Sequence, residues 1–186
     1  MYFNGNPLLN LLPFLPKQKP TVARPELLDS KGLFKNESVL LTYDKSNFDL
    51  IWKVLDDVVM GGKSESSAKV KEDKDGNYVS FSGLTNTQGG GFCSIRTKNF
   101  KPAFDLSDYG GLTFRVRSAK NFKYKFNLRD EEDWDAVAWQ CEFEVPGGNK
   151  WTEIKLPFKK FEPVKRANKF SDPQFRKINL ENILSF

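Results

Sequence analysis

The sequence predicts an all-β protein, a two-sheet sandwich or jelly roll, preceded by an extended N-terminal arm. Three observations support this prediction: short segments alternate apolar and polar residues, turn residues separate them, and the segments lack the three- and four-residue apolar spacing of a helix. Because a β-strand sends successive side chains to opposite faces, such alternation buries one face of a sheet and leaves the other in water.

The predicted arm comprises residues 1–37. Five prolines between positions 7 and 25 remove backbone donors and bias the residue before each of them to extended geometry. The arm nevertheless carries more apolar side chain than a free linker exposes to water: Phe3, Leu8, Leu9, Leu11, Leu12, Phe14 and Leu15. We therefore predict that these residues pack against another protein, and packing against the chain's own core is the open alternative.

The predicted sandwich comprises residues 38–186. Its strands, in order, are SVLLTY (38–43), LDDVVM (55–60, ended by two glycines), YVSFSGL (78–84), FCSIRT (92–97), GLTFRVR (111–117), FKYKFNL (122–128), VAWQCEFEV (137–145) and WTEIKLPF (151–158). The clearest alternation predicts Val137, Trp139, Cys141, Phe143 and Val145 on the inner face of one strand. Alternation in YVSFSGL likewise predicts that its valine and phenylalanine point inward and its serines outward.

Composition excludes much enzymology. The 186 residues include no histidine, which removes the commonest general base, the Ser-His-Asp and Cys-His nucleophiles and most zinc sites. The two cysteines form neither a C-x-x-C pattern nor a disulfide framework, so they predict buried, reduced thiols. No apolar run approaches the roughly twenty residues of a membrane span. We predict no catalytic residue, no cofactor and no metal ligand.

The formal charge of +5 is unevenly distributed. Residues 155–186 carry eight Lys and Arg against three Asp and Glu, whereas the middle of the chain is slightly acidic. In this basic segment, Lys165, Arg166 and other cations alternate with phenylalanines, a pattern that can hold phosphate and stack bases. RNA binding is therefore one open interpretation, and a solvated strand followed by a loop is the other.

Two further motifs have both a chemical and a structural interpretation. The glycine run at 89–91 leads into a strand and not into a helix with a Lys-Ser/Thr pair, so it predicts a turn and not a phosphate loop. Asp56 and Asp57 are adjacent, and extended backbone would send them to opposite faces, so they are not a catalytic carboxylate pair. We expect them to be solvated or to pair with an arginine of the strands. The acidic stretch 130–135 has no EF-hand spacing, which leaves solvated acids and a structural calcium site open.

Five blocks in this order resemble the complex I intermediate-associated protein family: WKVLDDVVMGGKSES, GGGFCSIRTKNF, DLSDYGGLTFRV, RDEEDWDAVAWQCEF and WTEIKLPFKKFEPVKRA. The resemblance covers about residues 39–184, and the form DDVVMGGKSES followed by SIRTKNF is closer to the branch of photosynthetic organisms than to the mitochondrial one. The family implies a galactose-binding-like jelly roll without established catalytic residues. Its domain continues past NILSF, so the resemblance leaves the predicted sandwich one or two strands short.

The resemblance implies a non-enzymatic assembly factor or scaffold that binds subunits of a large energy-converting complex. An antenna, a photosystem or a complex-I-like dehydrogenase would fit, in the chloroplast stroma, at the thylakoid surface or in the cyanobacterial cytoplasm, with the mitochondrial matrix less favoured. Besides the arm, the candidate partner-binding residues are Asp56, Asp57, Trp134, Lys165 and Arg166. The alternatives are a carbohydrate-binding module, favoured if Trp134 or Trp151 lines a concave face, and an RNA-binding factor.

Overall fold

The computed structural model describes residues 2–4, 48–74, 76–86, 91–133, 135–166, 168–170, 172 and 175–186. Its strands are β1 (Tyr2–Asn4), β2 (Trp52–Asp56), β3 (Glu65–Asp73), β4 (Gly76–Leu84), β5 (Cys93–Thr97), β6 (Gly111–Arg117), β7 (Phe122–Leu128), β8 (Ala138–Val145), β9 (Thr152–Pro157), β10 (Glu162–Lys165) and β11 (Asn168–Lys169). Helical structure in these ranges is limited to α1 (Phe48–Ile51) and to short 3₁₀ helices at Asp57–Met60, Phe158–Lys160 and Leu180–Asn182. The predicted all-β class is confirmed.

The strands form two packed layers. The first is an antiparallel sheet in the order β3-β4-β1-β6-β9. The second contains a sheet in the order β11-β10-β8-β7 and the pair β2-β5. Phe114 of the first layer meets Phe143 of the second with ring centroids 5.3 Å apart, so the layers pack face to face as a sandwich.

The C-terminal segment joins the two parts of the second layer. Its backbone bonds to Arg129, which follows β7, and the backbone of Phe186 bonds to Thr97 of β5. Residues 183–186 are all buried, and Ile183 and Ser185 are fully inaccessible. The predicted sandwich therefore holds the NILSF segment in its core.

β1 lies inside the first sheet, between β4 and β6. Phe3 stands opposite Val79 on one side and Val116 on the other. The prediction of an arm separate from the sandwich, starting at residue 1, is thus wrong for Tyr2–Asn4, because their backbone groups complete two ladders of the chain's own sheet. Leu8, Leu9, Leu11, Leu12, Phe14 and Leu15, like the predicted strand 38–43 and Trp134, lie outside the described residues.

Alternation places the core residues as predicted in most strands. The inward residues of β8 and its flanking Val137 are all at most 8% exposed, and Val116 of β6 is fully buried. Phe122 of β7 departs from the pattern, because it lies at the end of its strand and is 59% exposed. In β4, Ser80 was expected in water but is buried along with Tyr78 and Val79. A strand that is covered on both faces loses the contrast on which an alternation argument depends.

In the described part of the chain, no helix has both the length and the apolar character needed to cross a membrane.

Candidate functional site

The DDVVMGG motif is a strand end followed by a tight turn. β2 stops at Asp56, and residues 57–60 form a 3₁₀ helix closed by Gly61, which has φ +84°. The prediction that the strand continues through residue 60 is wrong, and Val58 is 60% exposed. A left-handed residue is needed at the end of this turn, and glycine adopts it without a Cβ penalty.

The carboxylate of Asp57 is the centre of this turn. It is 6% exposed and accepts a hydrogen bond of 2.8 Å from the backbone N–H of Ser64. The turn packs so closely that a Cβ on Gly62 would lie 2.1 Å from the Asp57 Cγ atom. The expectation that the Asp57 carboxylate is exposed is therefore wrong, because the motif uses it to hold its own backbone, and its role in partner binding stays a prediction.

Asp56 binds the neighbouring strand β3. Its two oxygens accept hydrogen bonds from the backbone N–H (2.7 Å) and the hydroxyl (2.6 Å) of Ser66. The expected ion pair between Asp56 or Asp57 and a strand arginine is therefore wrong within the described residues. Backbone amides and hydroxyls, which sequence patterns do not rank as ion partners, satisfy both carboxylates.

The glycine run leads into β5, as the sequence predicts. A Cβ on Gly91 would lie 1.9 Å from the backbone oxygen of Asn86, so this position requires glycine for a close approach of two chain segments. Asn86 in turn donates its N–H to the Ser64 hydroxyl at 3.0 Å. The described end of the run, Gly91, therefore belongs to the same packed turn as the Asp57 carboxylate.

The acidic stretch contains a second buried carboxylate, Asp130. Arg176 binds it with two guanidinium nitrogens, at 2.6 and 3.0 Å. The same carboxylate accepts hydrogen bonds from the indole N–H of Trp139 at 3.1 Å and from the backbone N–H of Asn179 at 2.8 Å. This cluster ties the C-terminal segment to β8, and sequence reasoning missed it because Arg176 and Asn179 are 46 and 49 residues away from Asp130.

The interactions in this cluster favour the charged forms of Asp130 and Arg176. Burial raises the pKa of Asp130, but the Arg176, Asn179 and Trp139 donors outweigh burial and leave that pKa below its usual range. The hydrogen bonds to Asp130 likewise raise the pKa of Arg176. Within the ranges described above, no three His, Cys, Asp or Glu side chains converge in a way that could hold a metal ion, so the calcium interpretation gains no support.

Arg96 of β5 and Arg129, which follows β7, both lie beside the C-terminal segment. Arg96 donates to the side-chain oxygens of Asn99 (3.1 Å) and Ser185 (3.3 Å), and Arg129 donates to the backbone oxygen of Asp133. Burial lowers the pKa of Arg96, with repulsion from Arg129 as the second cause. Burial also lowers the pKa of Arg129, against the attraction of nearby acids.

The basic C-terminal segment is folded into the sandwich. Phe158 and Phe161, which were candidates for base stacking, are each 7% exposed and belong to the core. Arg166 binds Asp135 with two nitrogens at 2.8 and 2.9 Å, and Lys165 lies 3.7 Å from the same carboxylate. The cations predicted to contact a partner are thus partly neutralised within the chain, and their role in binding stays a prediction.

The outer face of the first sheet carries a cluster of aromatic and cationic side chains. The Arg117 guanidinium lies 4.9 Å from the ring centroid of Tyr78 and 4.5 Å from that of Trp151, and it pairs with Asp73 at 3.2 Å. Arg115 lies 5.8 Å from the same Trp151 ring. The outward positions of GLTFRVR already carried the signal, because the alternation predicts both arginines on its polar face.

A shallow hollow of about 420 Å³ lies at the end of β7 and β8. It is lined by Asn121, Phe122, Lys123, Glu144, Val145 and Pro146.

The family model described as Complex I intermediate-associated protein 30 matches residues 41–186. This range contains the whole described sandwich except β1. Among curated proteins, none is significantly similar to this chain.

Two solved structures share the fold. One is the family 11 carbohydrate-binding module from Clostridium thermocellum in complex with a β-1,3-1,4-mixed-linked tetrasaccharide: TM-score 0.58, 19% identity, 77% of this chain and 81% of that chain covered. The other is the family 11 module of the cellulosomal cellulase Lic26A-Cel5E of the same organism: TM-score 0.56, 20% identity, 76% and 79% covered. At these identities the likeness concerns the fold, and it confirms the predicted jelly-roll-like β-sandwich.

Proposed function

This chain belongs to the complex I intermediate-associated protein 30 family, and on that premise we propose that it is a non-enzymatic assembly factor that docks onto subunits of a large photosynthetic complex. Membership indicates a role related to the assembly of complex I. The match over residues 41–186 carries the proposal, because it covers the strands of both layers and not a single short motif.

The hydrogen bonds of the two carboxylates in the DDVVMGG motif support a binding role over a catalytic one. Asp57 holds the turn through Ser64, and Asp56 holds β3 through Ser66. Carboxylates engaged in this way position backbone and do not face a reacting group. Function in such a domain resides in its outer surfaces.

The photosynthetic partner and the compartment are the more specific part of the proposal. They rest on the resemblance of DDVVMGGKSES and SIRTKNF to the branch of photosynthetic organisms. A chloroplast stroma, a thylakoid surface or a cyanobacterial cytoplasm is the compartment we propose.

Separation of native assembly intermediates tests this function. The tagged full chain, expressed in its source organism, should migrate with intermediates of one complex and be depleted from the mature complex. Loss of the gene should make those intermediates accumulate. A chain that migrates only as a free monomer, together with normal assembly in its absence, would contradict the proposal.

The apolar residues between positions 8 and 15 are the proposed anchor, and their test must spare β1. Serine at Leu8, Leu9, Leu11 and Leu12 leaves Tyr2–Asn4 in the sheet, whereas deletion of residues 1–37 would remove an internal strand. We expect this variant to lose co-migration with the intermediates. Leu84→Ser is the matched control, because Leu84 is a 79% exposed leucine of the sandwich. Equal behaviour of the two variants would exclude the anchor and leave the assembly role intact.

A carbohydrate-binding role is the second candidate, and the fold of the family 11 modules is the observation that favours it. A sugar ring needs an open aromatic face, but the Trp151 ring is contacted by Arg117 and Arg115. Binding of a β-glucan on a glycan array would favour this role over the assembly role.

A further inference from the structure

The segment 184–186 lies between β5 and β7 and forms hydrogen bonds with both sides. The backbone N–H of Thr97, at the end of β5, donates to the carbonyl of Phe186 at 3.0 Å, and the backbone N–H of Arg129, which follows β7, donates to the carbonyl of Ser185 at 3.0 Å. The segment runs antiparallel to both strands. At this end β5 and β7 are therefore two strand spacings apart, about 10 Å.

Along the rest of β7, the backbone groups on the same side lack such a partner among the described residues. The groups of successive residues alternate in direction, so those of Lys123, Lys125 and Asn127 point the same way as those of Arg129, away from β8. β7 is the last strand of its sheet, and no described strand pairs with this side of it. Unpaired backbone groups at a sheet edge are a template for a further strand.

β5 has the corresponding arrangement on its side. The backbone N–H of Lys98 donates to the carbonyl of Ile51, which precedes β2. The groups of Cys93 and Ile95 point the other way, away from β2, and no described strand pairs with them there. A slot, bounded by residues 93–95 of β5 and residues 122–127 of β7, therefore continues the line of the segment 184–186.

The inward side chains of β7 are accessible along this slot. Leu128, which stands opposite Phe186, is fully buried, whereas Phe126 and Tyr124 are half-buried and Phe122 is 59% exposed. Their partners on β8 are each at most 8% exposed. The Phe186 ring packs against that of Phe126 with centroids 6.1 Å apart. The apolar row of β7 is thus covered where the segment 184–186 lies and open where it does not.

The outward side chains beside the slot are basic. β7 contributes Lys123 and Lys125, whose side chains are 59% and 51% exposed, β5 contributes Arg96, and neither strand contains an acidic residue. The two lysines lie 3.7 to 4.0 Å from Glu142 and Glu144 of β8, and ion pairs at such exposed positions are weak. A strand in the slot would therefore gain from acidic residues on its outward side.

We propose that the slot between β5 and β7 binds an extended segment of a client subunit in which apolar residues alternate with acidic ones. The segment pairs with the free backbone groups of both strands, its apolar residues cover Tyr124 and Phe122, and its acidic residues lie beside Lys123 and Lys125. A second copy of the chain is a poorer occupant, because pairing through β7 would bring the lysines of the two copies beside each other. This inference rests on the function proposed above, since it names the surface by which an assembly factor holds its client.

The experiment measures binding of a short fluorescein-labelled peptide of alternating valine and glutamate to the full chain by fluorescence anisotropy. A peptide of the same composition, in which all valines precede all glutamates, is the control for the pattern. Hydrogen exchange, followed by NMR, reports on the backbone amides of Lys123, Lys125 and Asn127 with and without the peptide.

The first test variant is Lys125→Pro, because proline removes a backbone donor that points into the slot and not toward β8. The matched control is Glu72→Pro on β3, the edge strand of the first sheet. The backbone N–H of Ser66 points away from β4 to Asp56, so by alternation the N–H of the exposed Glu72 also points away from β4.

A second pair of variants tests the charge. Lys123→Glu with Lys125→Glu is compared with Lys69→Glu with Lys71→Glu, since both pairs are exposed lysines two residues apart on an edge strand and both variants change the net charge equally. Far-UV circular dichroism checks that each variant retains its fold. If Lys125→Pro does not fold, the charge variants and hydrogen exchange decide the question.

We expect the wild type to bind the alternating peptide and not its control, and the three amides to exchange at least about tenfold more slowly in the complex. Lys125→Pro should bind at least about tenfold more weakly, because a peptide carbonyl is left without its donor, whereas Glu72→Pro should change the affinity by less than about twofold. The glutamate variant of β7 should likewise lose at least about tenfold at low salt, and that of β3 less than about twofold.

Three results would overturn the assignment. Equal binding of the two peptides, or equal losses in a test variant and its control, would show that the slot does not read the pattern. Slow exchange of the three amides in the free chain would show that the chain's own residues already fill the slot. A dimer that Lys125→Pro dissociates would identify a second copy as the occupant.

The slot and the function fail in different ways. If the wild type migrates with assembly intermediates and a folded Lys123→Glu, Lys125→Glu variant does so equally well, the slot is wrong and the assembly role stands. If the wild type binds the alternating peptide in the slot but never migrates with intermediates, the slot stands and the assembly role is wrong.

Discussion

Replacement of Asp130 by asparagine should destabilise the fold more than any comparable change of an exposed acid. The Asp130 side chain has 0% exposure and accepts four hydrogen bonds, two of them from Arg176. Asparagine keeps the shape of the side chain but removes its charge and turns one acceptor into a donor that faces the Arg176 guanidinium.

The size of the loss in unfolding free energy depends on the Arg176 charge, which remains in the variant without its main partner. Breaking a buried ion pair costs about 3–5 kcal/mol, because the remaining charge is left without a partner. Arg176 is 36% exposed and can regain water, and Glu131 stays as a second partner, so we take the lower end, about 3 kcal/mol. That is a large part of the total of about 5–15 kcal/mol that stabilises a typical domain.

Urea unfolding, followed by tryptophan fluorescence and far-UV circular dichroism, gives the free energy of unfolding. The matched control is Asp135→Asn, because Asp135 also binds an arginine, Arg166, with two hydrogen bonds, but at the exposed surface. We expect the unfolding midpoint of the control to change much less than that of Asp130→Asn. Similar midpoints for the two variants would refute the claim that burial makes the Asp130 cluster important.

The same cluster predicts a pH dependence. Although burial raises it, the pKa of Asp130 in the folded protein is lowered overall by the Arg176, Asn179 and Trp139 donors. A carboxyl group with a lowered folded pKa adds stability above its unfolded pKa of about 3.9 and loses it as the pH falls through the folded pKa. The difference in unfolding free energy between wild type and Asp130→Asn should therefore be constant above about pH 5 and shrink toward lower pH. A difference that persists unchanged in acid would show that the charge of Asp130 is not its cause.

Two further predictions concern packing. Gly62→Ala should cost about 3 kcal/mol, because the new Cβ would lie 2.1 Å from the Asp57 Cγ atom, whereas Gly148→Ala, at φ +89° with no neighbour within 4 Å, should cost about 1 kcal/mol. Thermal melts measure both, and equal losses would mean that Asp57 moves aside at little cost. Burial raises the pKa of the Cys141 thiol, which is 4% exposed, so iodoacetamide should label the half-buried Cys93 first in the native protein. Equal labelling rates, measured by mass spectrometry, would contradict the buried position of Cys141.

The alternation of apolar and polar residues was sufficient to predict strands that have one buried face and one solvent-exposed face. β6, β7 and β8 begin and end within about a residue of the predicted segments, and Trp139 and Phe143 lie in the core as predicted. The fold class followed from the same alternation, since amphipathic strands must bury their apolar faces against each other.

Sequence patterns gave wrong predictions where hydrogen bonds to backbone groups determine the local structure. The sequence predicts Asp57 as a solvated or arginine-paired acid because it stands beside a second acid, Asp56, but its partner is the backbone N–H of Ser64. The prediction that β2 extends beyond Asp56 was wrong because an apolar run does not distinguish the two structures. Such a run fits a strand, and it also fits a 3₁₀ turn that ends in a left-handed glycine.

The sequence by itself determined the class of the protein: alternating strands, a chain without histidine chemistry, and the ordered blocks of an assembly-related family. Only the tertiary structure decided which charges are available to a partner, because Asp56, Asp57, Lys165 and Arg166 find partners within the chain while Lys69 and Lys71 make no ion pair among the described residues. The insertion of Tyr2–Asn4 between two distant strands was likewise decided by tertiary structure. The physical reason is that pairing energies depend on distance in space, and nothing in local composition encodes which remote donor will lie within 3 Å of a given carboxylate.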